Sequence, residues 1–526
     1  MRSKNSALLL LLVLFVCGTF FPATAQQSAA TYANPVIPGD IPDPSIIRVG
    51  DDFWATATSA EWEPEFPLLH SRDLVNWEVV GAIFEQRPSW AVANFWAPEI
   101  SEYNGKFFVL YTARKRNGPL CVASASADSP KGPYKDHGPL VCQDAGSIDG
   151  FSTVDENGQR YFIWKEDGNS RDLPTPIWAQ RFSDDGTKLI GDKVELIRND
   201  MPWEGKVVEG PFILRRNGYF YMFYSGAGCC GLRCDYALGV ARSKNLLGPW
   251  EKNPDNPIVR STAKWQCPGH GSVVSDRKGR DYFLFHSYSS NGSVYVGRQA
   301  VLDQITWTPA GWPIINEGKG VSEVAISPFE APQKGALSFR DDFKSPALRP
   351  GWQWPAGNKP MTRTAVERGS GIALSPSNAA SRDILDAVIA RATLTPGYVA
   401  STAVSTQTLG PGASAGLAAY GDNRNAIGVA VSNGAVTLWQ RREGEHKVLH
   451  SAPRISKLVY IRVTAAKGHR FQFALSADGK QWNNFGNELD GVFLPPWDRS
   501  VRLALFTGGA AKANATFRYF EVSPLK

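Results

Sequence analysis

The sequence repeats one short pattern five times, and this repeat constrains the fold more than any other feature. Each copy is a tight turn containing glycine, followed by a strand rich in aromatic residues. The copies are VGDDFWATATS (49–59), NGKFFVLYTA (104–113), NGQRYFIWKED (157–167), NGYFYMFYSG (217–226) and KGRDYFLFHSY (278–288). Asn-Gly and Asp-rich turns supply the positive φ that tight hairpins need, so each copy predicts a hairpin between two strands.

The spacing of the repeat indicates the architecture. The turn glycines are 55, 53, 60 and 61 residues apart, at Gly50, Gly105, Gly158, Gly218 and Gly279. Repeats of this length, each made of several strands, match the blades of a β-propeller. A β-sandwich has no reason to repeat at this spacing. The sequence therefore predicts an all-β chain with a five-bladed β-propeller over residues 30–320.

Each repeat is preceded by a strand that carries a polar residue near its start. These residues stand 7, 6, 9, 9 and 9 positions before the turn glycines, and they are Asp43, Glu99, Asp149, Glu209 and His270. In a propeller the first strand of every blade lines the central channel, and these strands all run the same way. We therefore expect the five side chains to meet around one mouth of the channel.

Carboxylates crowded in a partly dry pocket suit the hydrolysis of acetals. They cannot all ionise at neutral pH, so at least one pKa must rise. A protonated carboxyl group can then donate to the leaving oxygen, while an ionised one activates water on the opposite face of the sugar. Aromatic residues near the mouth are candidates for stacking on sugar rings, namely Phe95, Trp96 and Trp203.

Each of these residues also has a purely structural interpretation. An Asp in Pro-Asp-Pro-Ser, or an Asp before Gly, is most often a turn former, and Glu99 can be structural. His270 between two glycines can be a satisfied core residue, and Trp96 can be core packing. The recurrence of Asp43, Asp149 and Glu209 at equivalent blade positions favours catalysis for these three.

The same segments resemble glycoside hydrolase family 43. The resemblance lies in NPVIPGDIPDPSII, FWAPEI, SIDG, VEGPFI and GHGSVV, which occur in that order on the five repeats and cover residues 34 to about 320. It implies an inverting hydrolase with Asp43 as general base and Glu209 as general acid, and with Asp149 tuning the pKa of the acid. The intact PDPS segment disfavours the exo-galactanase branch, which lacks the base.

The resemblance also implies groups that bind ligands. Arg298, in YVGRQAVLD, corresponds to an arginine near the substrate, and His270 to a central histidine that in many members ligates one Ca²⁺ or similar ion. No organic cofactor is implied. The implied partner is an oligo- or polysaccharide.

The character of the chain changes after the propeller. Residues 321–338 are interpreted as a linker, and residues 339–526 contain short alternating runs such as RFQFALSADGKQW and SVRLALFTGG. These predict an antiparallel β-sandwich. The segment resembles the concanavalin-like C-terminal domain of β-xylosidase-type members, in which a loop can close one side of the active site. A separate carbohydrate-binding module is the alternative.

The N-terminus predicts export. Arg2 and Lys4 precede a short apolar run, and Ala23-Thr24-Ala25 offers a cleavage site, so residues 1–25 are interpreted as a signal peptide cut after Ala25. The predicted location is secreted or periplasmic, with no membrane span. The formal charge of +6 is scattered along the chain, so nucleic-acid binding is unsupported.

Six cysteines remain after the signal peptide. In an exported protein they favour disulfides over metal ligation, and no histidine accompanies them at zinc spacing. The adjacent Cys229 and Cys230, in the segment GAGCCGLRCDY, are not expected to pair with each other. The other pairings stay open.

The predicted function is an exported, exo-acting, inverting hydrolase of plant cell-wall pentosans, either an α-L-arabinofuranosidase or a β-xylosidase. Two alternatives remain. An endo-arabinanase would need an open groove across the propeller, and a polysaccharide-binding propeller would have no use for an acid and a base.

Overall fold

The computed structural model describes residues 30–525, except 330–332, 334, 336, 346, 365–370, 379–381 and 455. The predicted signal peptide lies outside the described residues. Most of the described chain is β-structure. Its helical segments are 3₁₀ turns at Gly168–Arg171, Pro202–Glu204 and Asn316–Gly318 and one short helix, α1 (Ser293–Val296). Within this described part, no helix is long and apolar enough to cross a membrane.

Five antiparallel sheets of four strands follow one another along the described chain. Strand β1 (Thr31–Ala33) precedes them. Blade 1 consists of β2 (Ser45–Val49), β3 (Asp52–Thr56), β5 (Glu65–Ser71) and β6 (Glu78–Phe84), with the short β4 (Trp62–Glu63) before β5. Blade 2 consists of β7 (Ala91–Tyr103), β8 (Lys106–Lys115), β9 (Leu120–Ala127) and β10 (Lys135–Val141). Blade 3 consists of β11 (Ser147–Val154), β12 (Arg160–Glu166), β13 (Ile177–Phe182) and β14 (Leu189–Ile197).

The last two blades continue the series and close the ring. Blade 4 consists of β15 (Val208–Arg216), β16 (Tyr219–Gly226), β17 (Ala237–Ser243) and β18 (Glu251–Lys252). Blade 5 consists of β19 (Trp265–Ser275), β20 (Asp281–Ser289), β21 (Arg298–Trp307) and β22 (Pro313–Ile315). The first strands β2, β7, β11, β15 and β19 each contact the next, and β19 contacts β2. The predicted five-bladed propeller is confirmed.

The repeated turns and aromatic strands explain why the blades form. Gly105 and Gly218 adopt φ values of +73° and +78° in turns that join the first two strands of their blades. The aromatic strands then pack between neighbouring blades. Tyr111, for example, lies 5.4 Å from Phe66 and 5.2 Å from Phe84 of the preceding blade, measured between ring centroids. Each buried aromatic ring of this kind stabilises the fold by about 1.5–3 kcal/mol.

The segment predicted as a linker, 321–338, is partly structured. Strand β23 (Val324–Ile326) pairs with β1, so that Tyr32 lies opposite Ala325. The N-terminal segment is also held by a bridge between Ile37 and Ala300 of blade 5.

The C-terminal part is an antiparallel β-sandwich, as predicted. Its strands are β24 (Phe339–Asp341), β25 (Trp354–Pro355), β26 (Met361–Thr364), β27 (Ile372–Ser375), β28 (Ala387–Ala392), β29 (Tyr398–Ser405), β30 (Ser414–Asp422), β31 (Asn425–Ser432), β32 (Ala435–Arg442), β33 (Glu445–Pro453), β34 (Leu458–Ala466), β35 (Arg470–Ser476), β36 (Asn483–Asn484), β37 (Leu489–Asp490), β38 (Arg502–Gly508) and β39 (Ala515–Pro524). One sheet has the order β28-β38-β30-β31-β32-β33, and the other runs β26-β27-β39-β29-β34-β35-β36. Their facing sides bury a large apolar core.

The two domains are joined by buried polar contacts. Strand β25 of the sandwich pairs with β4 of blade 1. The Asp40 carboxylate accepts a hydrogen bond of 3.0 Å from the Ser500 backbone N–H and lies 3.3 Å from the Arg502 guanidinium. Asp40 and Arg502 are both buried. Their ion pair and the hydrogen bond from Ser500 fix this sandwich segment beside the start of blade 1.

The six cysteines form three disulfides: Cys121–Cys142, Cys229–Cys230 and Cys234–Cys267. The prediction of disulfides was right, but the expectation that Cys229 would not pair with Cys230 was wrong. Neighbouring residues place their side chains within bonding reach, and the bond closes a small ring around the peptide link. The segment leaves no other cysteine for either partner, because Cys234 bonds to Cys267.

Candidate active site

Bulges in the first strands turn the predicted polar residues toward one pocket. The pairing register shifts beside Asp149, beside Glu209 and beside His270, in blades 3, 4 and 5. Asp43, Asp149 and His270 also adopt positive φ values of +52°, +58° and +38°. Bulges re-aim side chains, and strained backbone of this kind clusters at functional sites.

The pocket has a volume of about 1120 Å³ and opens at one mouth of the propeller channel. Six of the predicted site residues line it, namely Asp43, Trp96, Asp149, Glu209, His270 and Arg298. We expected the polar residues at the strand starts to meet in one pocket. Blades 1, 3, 4 and 5 each bring their polar residue to the pocket. Blade 2 contributes Trp96 in place of Glu99.

Asp43 is the most heavily stabilised anion of the pocket. Its Oδ1 lies 3.0 Å from the Arg298 guanidinium and 3.5 Å from His270 Nδ1. Its Oδ2 accepts a hydrogen bond of 2.6 Å from the Thr58 hydroxyl. Burial alone would raise the pKa of Asp43, but Arg298 and His270 hold that pKa well below its usual range. Asp43 is therefore ionised at neutral pH.

His286 holds the backbone of Asp43 in place. Its Nδ1 accepts a hydrogen bond of 3.1 Å from the Asp43 backbone N–H, and its ring stacks on Tyr236. Burial lowers the pKa of His286 to about 4, so the ring is neutral at neutral pH. A neutral ring can accept at Nδ1, which fixes the strained backbone of Asp43.

Asp149 is the carboxyl group of the Asp149–Glu209 pair that takes up a proton more readily. Burial, with the neighbouring Glu209 charge, raises the pKa of Asp149 to about 7, although His270 and Lys165 oppose the shift. Its Oδ2 accepts a hydrogen bond of 2.9 Å from the Gly210 backbone N–H. The hydrogen bond ties Asp149 to the residue that follows Glu209.

Glu209 is held as an anion in this structure. Its Oε2 accepts a hydrogen bond of 2.7 Å from the buried Lys165 ammonium, and its Oε1 accepts one of 2.8 Å from the Tyr236 hydroxyl. Burial would raise the pKa of Glu209, but Lys165 outweighs burial and lowers it. The ammonium also contacts Asp167 at 2.9 Å. The proton of the Asp149–Glu209 pair thus resides on Asp149.

His270 packs on the backbone of blade 4. A Cβ added to Gly210, whose φ is +61°, would lie 2.9 Å from the imidazole ring. Glycine at this position therefore lets the ring approach. Across the described residues, no three His, Cys, Asp or Glu side chains form a ligand group for a metal ion. Carboxylate oxygens of Asp43 and Asp149 lie 3.5 Å and 4.0 Å from His270 Nδ1.

Two predicted aromatic contacts need correction. Phe95 is fully buried and packs 5.9 Å from Phe66, so it has no free face for a sugar. Trp203 lies beneath Gly226 and Gly239 and beside Tyr224, away from the pocket lining. Successive residues of a strand point to opposite sides, so the neighbour of a buried Phe95, Trp96, is the one that reaches the pocket.

Glu99 faces the channel outside the pocket. Its carboxyl group accepts a hydrogen bond of 3.1 Å from the Ser272 hydroxyl of blade 5. Burial raises the pKa of Glu99 to about 8, so it is mostly neutral at pH 7. The structural interpretation of Glu99 fits this placement.

The sandwich contributes one wall of the pocket. Trp497 and Asp498 line it, and the Trp497 ring meets Trp96 edge to face, with centroids 5.9 Å apart. The Arg298 guanidinium donates to the Asp498 carbonyl at 3.4 Å. The arginine that stabilises Asp43 therefore also holds the sandwich loop.

Several residues of the site escaped sequence reasoning. Lys165 and His286 both lie in the repeated aromatic strands and are buried. A charged or polar residue within such an apolar strand was the sequence signal that could have identified them. Tyr236 ends the cysteine-rich segment, and its role depends on a contact across the blade. Nothing local in the sequence marks Trp497.

The sequence profile of glycosyl hydrolases family 43 matches residues 32–313, over half of the chain. The chain belongs to this family. A second profile, the β-xylosidase C-terminal concanavalin A-like domain, matches residues 340–522.

Similar proteins carry related names. A xylosidase/arabinosidase of Butyrivibrio fibrisolvens is 31% identical over 55% of this chain and 57% of its own length. A β-xylosidase of Formosa agariphila is 24% identical over 92% of this chain and 88% of its own length. The match thus spans less than two thirds of the Butyrivibrio protein.

Solved structures agree on both domains. The family 43 protein BlXynB from Bacillus licheniformis is 26% identical, with a TM-score of 0.81 over 94% of this chain and all of that chain. The xylan β-1,4-xylosidase of Bacillus halodurans, at 23% identity and a TM-score of 0.79, supports the fold alone.

Proposed function

We propose that this family 43 chain is an exo-acting, inverting glycoside hydrolase that releases single pentoses, xylose or arabinose, from oligosaccharides of xylan or arabinan. The observation that carries the proposal is the convergence of Asp43, Asp149 and Glu209, in different charge states, in one pocket. A carbohydrate-binding protein has no use for carboxyl groups whose pKa values are pushed apart.

Asp43 fits the general base. A base must be ionised before it can take a proton from water, and Arg298 and His270 keep the Asp43 carboxylate ionised. In an inverting reaction that water attacks the anomeric carbon from the face opposite the leaving group. The Thr58 hydroxyl and Arg298 hold the carboxylate in one orientation.

Glu209 fits the general acid once it takes up a proton. In the free protein Lys165 and Tyr236 stabilise its anion, and the nearby proton is on Asp149. A bound sugar excludes water from Glu209, and loss of solvation raises the pKa of a carboxyl group. We propose that Glu209 is protonated in the substrate complex and gives this proton to the glycosidic oxygen.

Exo action is supported by the closed side of the pocket. Trp497 and Asp498 of the sandwich line one side of the pocket. A chain end can enter such a pocket, whereas an internal segment of a polymer needs both sides open. We therefore favour release of single sugars over the endo-arabinanase alternative.

The sugar is inferred from related proteins. The relatives named above are xylosidases or xylosidase/arabinosidases, and an exo-α-(1→5)-L-arabinofuranosidase of Cellvibrio japonicus is 26% identical over 53% of this chain. Xylose and arabinose are therefore both candidates. The Cellvibrio enzyme is named as an extracellular enzyme, which supports the predicted export. A Ca²⁺ ion at His270 stays a prediction.

The test is product analysis on 1,4-β-xylobiose to xylohexaose and on arabino-oligosaccharides. We expect only single pentoses at early times, and NMR should show the inverted anomer first. A ladder of products would contradict exo action, and net retention would contradict the roles of the two carboxylates.

Glu209→Ala tests the acid directly. We expect its activity on xylobiose to fall by about 10³-fold, while β-D-xylosyl fluoride, whose leaving group needs no proton, keeps most of its rate. Glu99→Gln is the matched control, since Glu99 lies in the same channel outside the pocket. Equal losses on both substrates would show that Glu209 is not the acid.

A further inference from the structure

The cysteine-rich segment GAGCCGLRCDY forms part of the active-site pocket. It connects β16 to β17, and both sulfur-bearing residues of its internal disulfide, Cys229 and Cys230, line the pocket. Both are half-buried, so the disulfide has a free face. The charged residues assigned to catalysis do not explain this apolar surface.

The segment is anchored at several points, which fixes the disulfide in place. Cys234 bonds to Cys267 of blade 5. The Gly228 backbone N–H donates a hydrogen bond of 2.7 Å to Asp235. Cys229 also packs against a buried apolar cluster that contains Tyr236 and Cys267 of the propeller together with residues of the sandwich. The surface is thus rigid before any ligand arrives.

The position of the cysteine-rich segment relative to Glu209, the proposed general acid, indicates which sugar of the substrate the segment contacts. Glu209 pairs with Ser225 across the blade, and the segment begins directly after this residue pair. The segment ends at Tyr236, whose hydroxyl binds the Glu209 carboxylate. The disulfide is therefore on the Glu209 side of the pocket, and a general acid stands next to the leaving group.

We propose that the Cys229–Cys230 disulfide is the platform for the leaving-group sugar. This inference rests on the proposed function and adds a specificity determinant to it. A disulfide closed around one peptide link offers two polarisable sulfurs, no charge and few rotatable bonds. Such a surface suits the C–H face of a pyranose or furanose ring, and its rigidity lowers the entropy lost on binding.

The volume of the pocket agrees with this assignment. At about 1120 Å³ it is larger than the 300–1,000 Å³ of ordinary small-molecule sites, so it has room for more than the released pentose. Trp497 stands close to the same segment, since a Cβ on Gly231 would lie 3.9 Å from the Trp497 carbonyl oxygen. The disulfide and the sandwich loop thus form neighbouring parts of one rim.

The experiment compares two substrates that differ only in their leaving group. In the double variant Cys229→Ala/Cys230→Ala, we expect kcat/KM on 1,4-β-xylobiose to fall about tenfold and kcat/KM on β-D-xylosyl fluoride to change less than about twofold. The matched arabinosyl pair replaces them if the product analysis finds arabinose. Leu232→Ala, in the same segment but exposed and outside the pocket, is the control and should match the wild type on both substrates.

The other outcomes separate the two hypotheses. Equal losses on both substrates would mean that the disulfide contacts the released sugar, and an unchanged variant would mean that it contacts neither; both overturn the inference. A wild type that hydrolyses neither substrate would instead defeat the proposed function.

A second measurement leaves both cysteines in place. The experiment uses Glu209→Gln protein, which we expect to bind the substrate without cleaving it. A phosphine reduces Cys229–Cys230, and alkylation with mass spectrometry measures the rate of this reduction. Xylobiose should slow this reduction, and xylose should not. Equal rates with and without xylobiose would overturn the platform.

Discussion

The two domains contribute to one pocket in different ways. The propeller supplies the proposed base, the proposed acid and the carboxyl group between them from blades 1, 3 and 4, whereas the sandwich supplies one loop with an aromatic ring and a backbone carbonyl. The propeller residues are held by bulges and buried ion pairs, and the loop is held by contacts that cross between domains. Under the proposed function, the reaction chemistry resides in the propeller and the sandwich limits how much of a polysaccharide can enter.

The largest expected effect is on the propeller side. Asp43→Asn should lower kcat by about 10³-fold, because the amide cannot take a proton from water, and should also lower the melting temperature, because the buried Arg298 guanidinium loses its anion. Steady-state kinetics and thermal melting measure the two quantities. The control is Glu99→Gln, which removes a channel carboxyl group outside the pocket. If Asp43→Asn keeps more than about a tenth of the activity, another group is the base.

Next in size is the contact that joins the two domains. Asp40→Asn leaves the buried Arg502 guanidinium without its anion, and loss of one partner of a buried pair costs about 3 kcal/mol. Urea denaturation should show this loss of unfolding free energy. The exposed pair of Arg340 and Glu521 provides the control, since Glu521→Gln should cost less than about 0.5 kcal/mol. Equal costs would mean that the interface contact is unimportant.

The pH dependence of stability tests the buried carboxyl groups of the channel. Burial raises the pKa of Glu99 to about 8, against 4.5 in an unfolded chain. Between these values the folded state holds a proton that the unfolded state has released. The stabilising contribution is therefore complete below pH 4.5 and is lost as the pH rises through 8.

Glu99→Gln removes this dependence. The variant should match the wild type at about pH 4 and be more stable by about 2 kcal/mol at pH 9, since Glu99 is only partly shielded from solvent and the full linkage energy is not expected. Urea denaturation at the two pH values measures it. The exposed Glu102→Gln is the control, and a difference that does not grow with pH would contradict the assignment.

The sequence predicted those features that follow from local pattern. Five turn glycines and five aromatic strands determine the blades, and the position of Asp43, Asp149 and Glu209 relative to the turns places them on inner strands. The sequence could not show which of Phe95 and Trp96 faces the pocket. Adjacent residues of a strand point to opposite sides, and the bulges in this strand that determine which side faces the pocket have no clear sequence signature.

Contacts between segments that are distant in the sequence could not be predicted either. The bond between Cys229 and Cys230 depends on Cys234 being engaged by Cys267 of the next blade. The charge state of Glu209 depends on Lys165, one blade earlier. Trp497 meets Trp96 only because the sandwich docks against the propeller.

This last contact gives the smallest predicted effect and the most direct test of the comparison. Trp497→Ala removes the aromatic wall while leaving every ionisable group of the pocket in place. We expect kcat/KM on xylobiose to fall by about tenfold, because one ring contact is lost, while the rate on β-D-xylosyl fluoride changes little. Products longer than one pentose should also appear from long substrates, since the closed side becomes open. Val492→Ala, half-exposed on the same stretch of the sandwich and outside the pocket, is the control. If Trp497→Ala instead lowers the rate on the fluoride as strongly as Asp43→Asn does, the sandwich takes part in the chemistry and the division between the two domains is wrong.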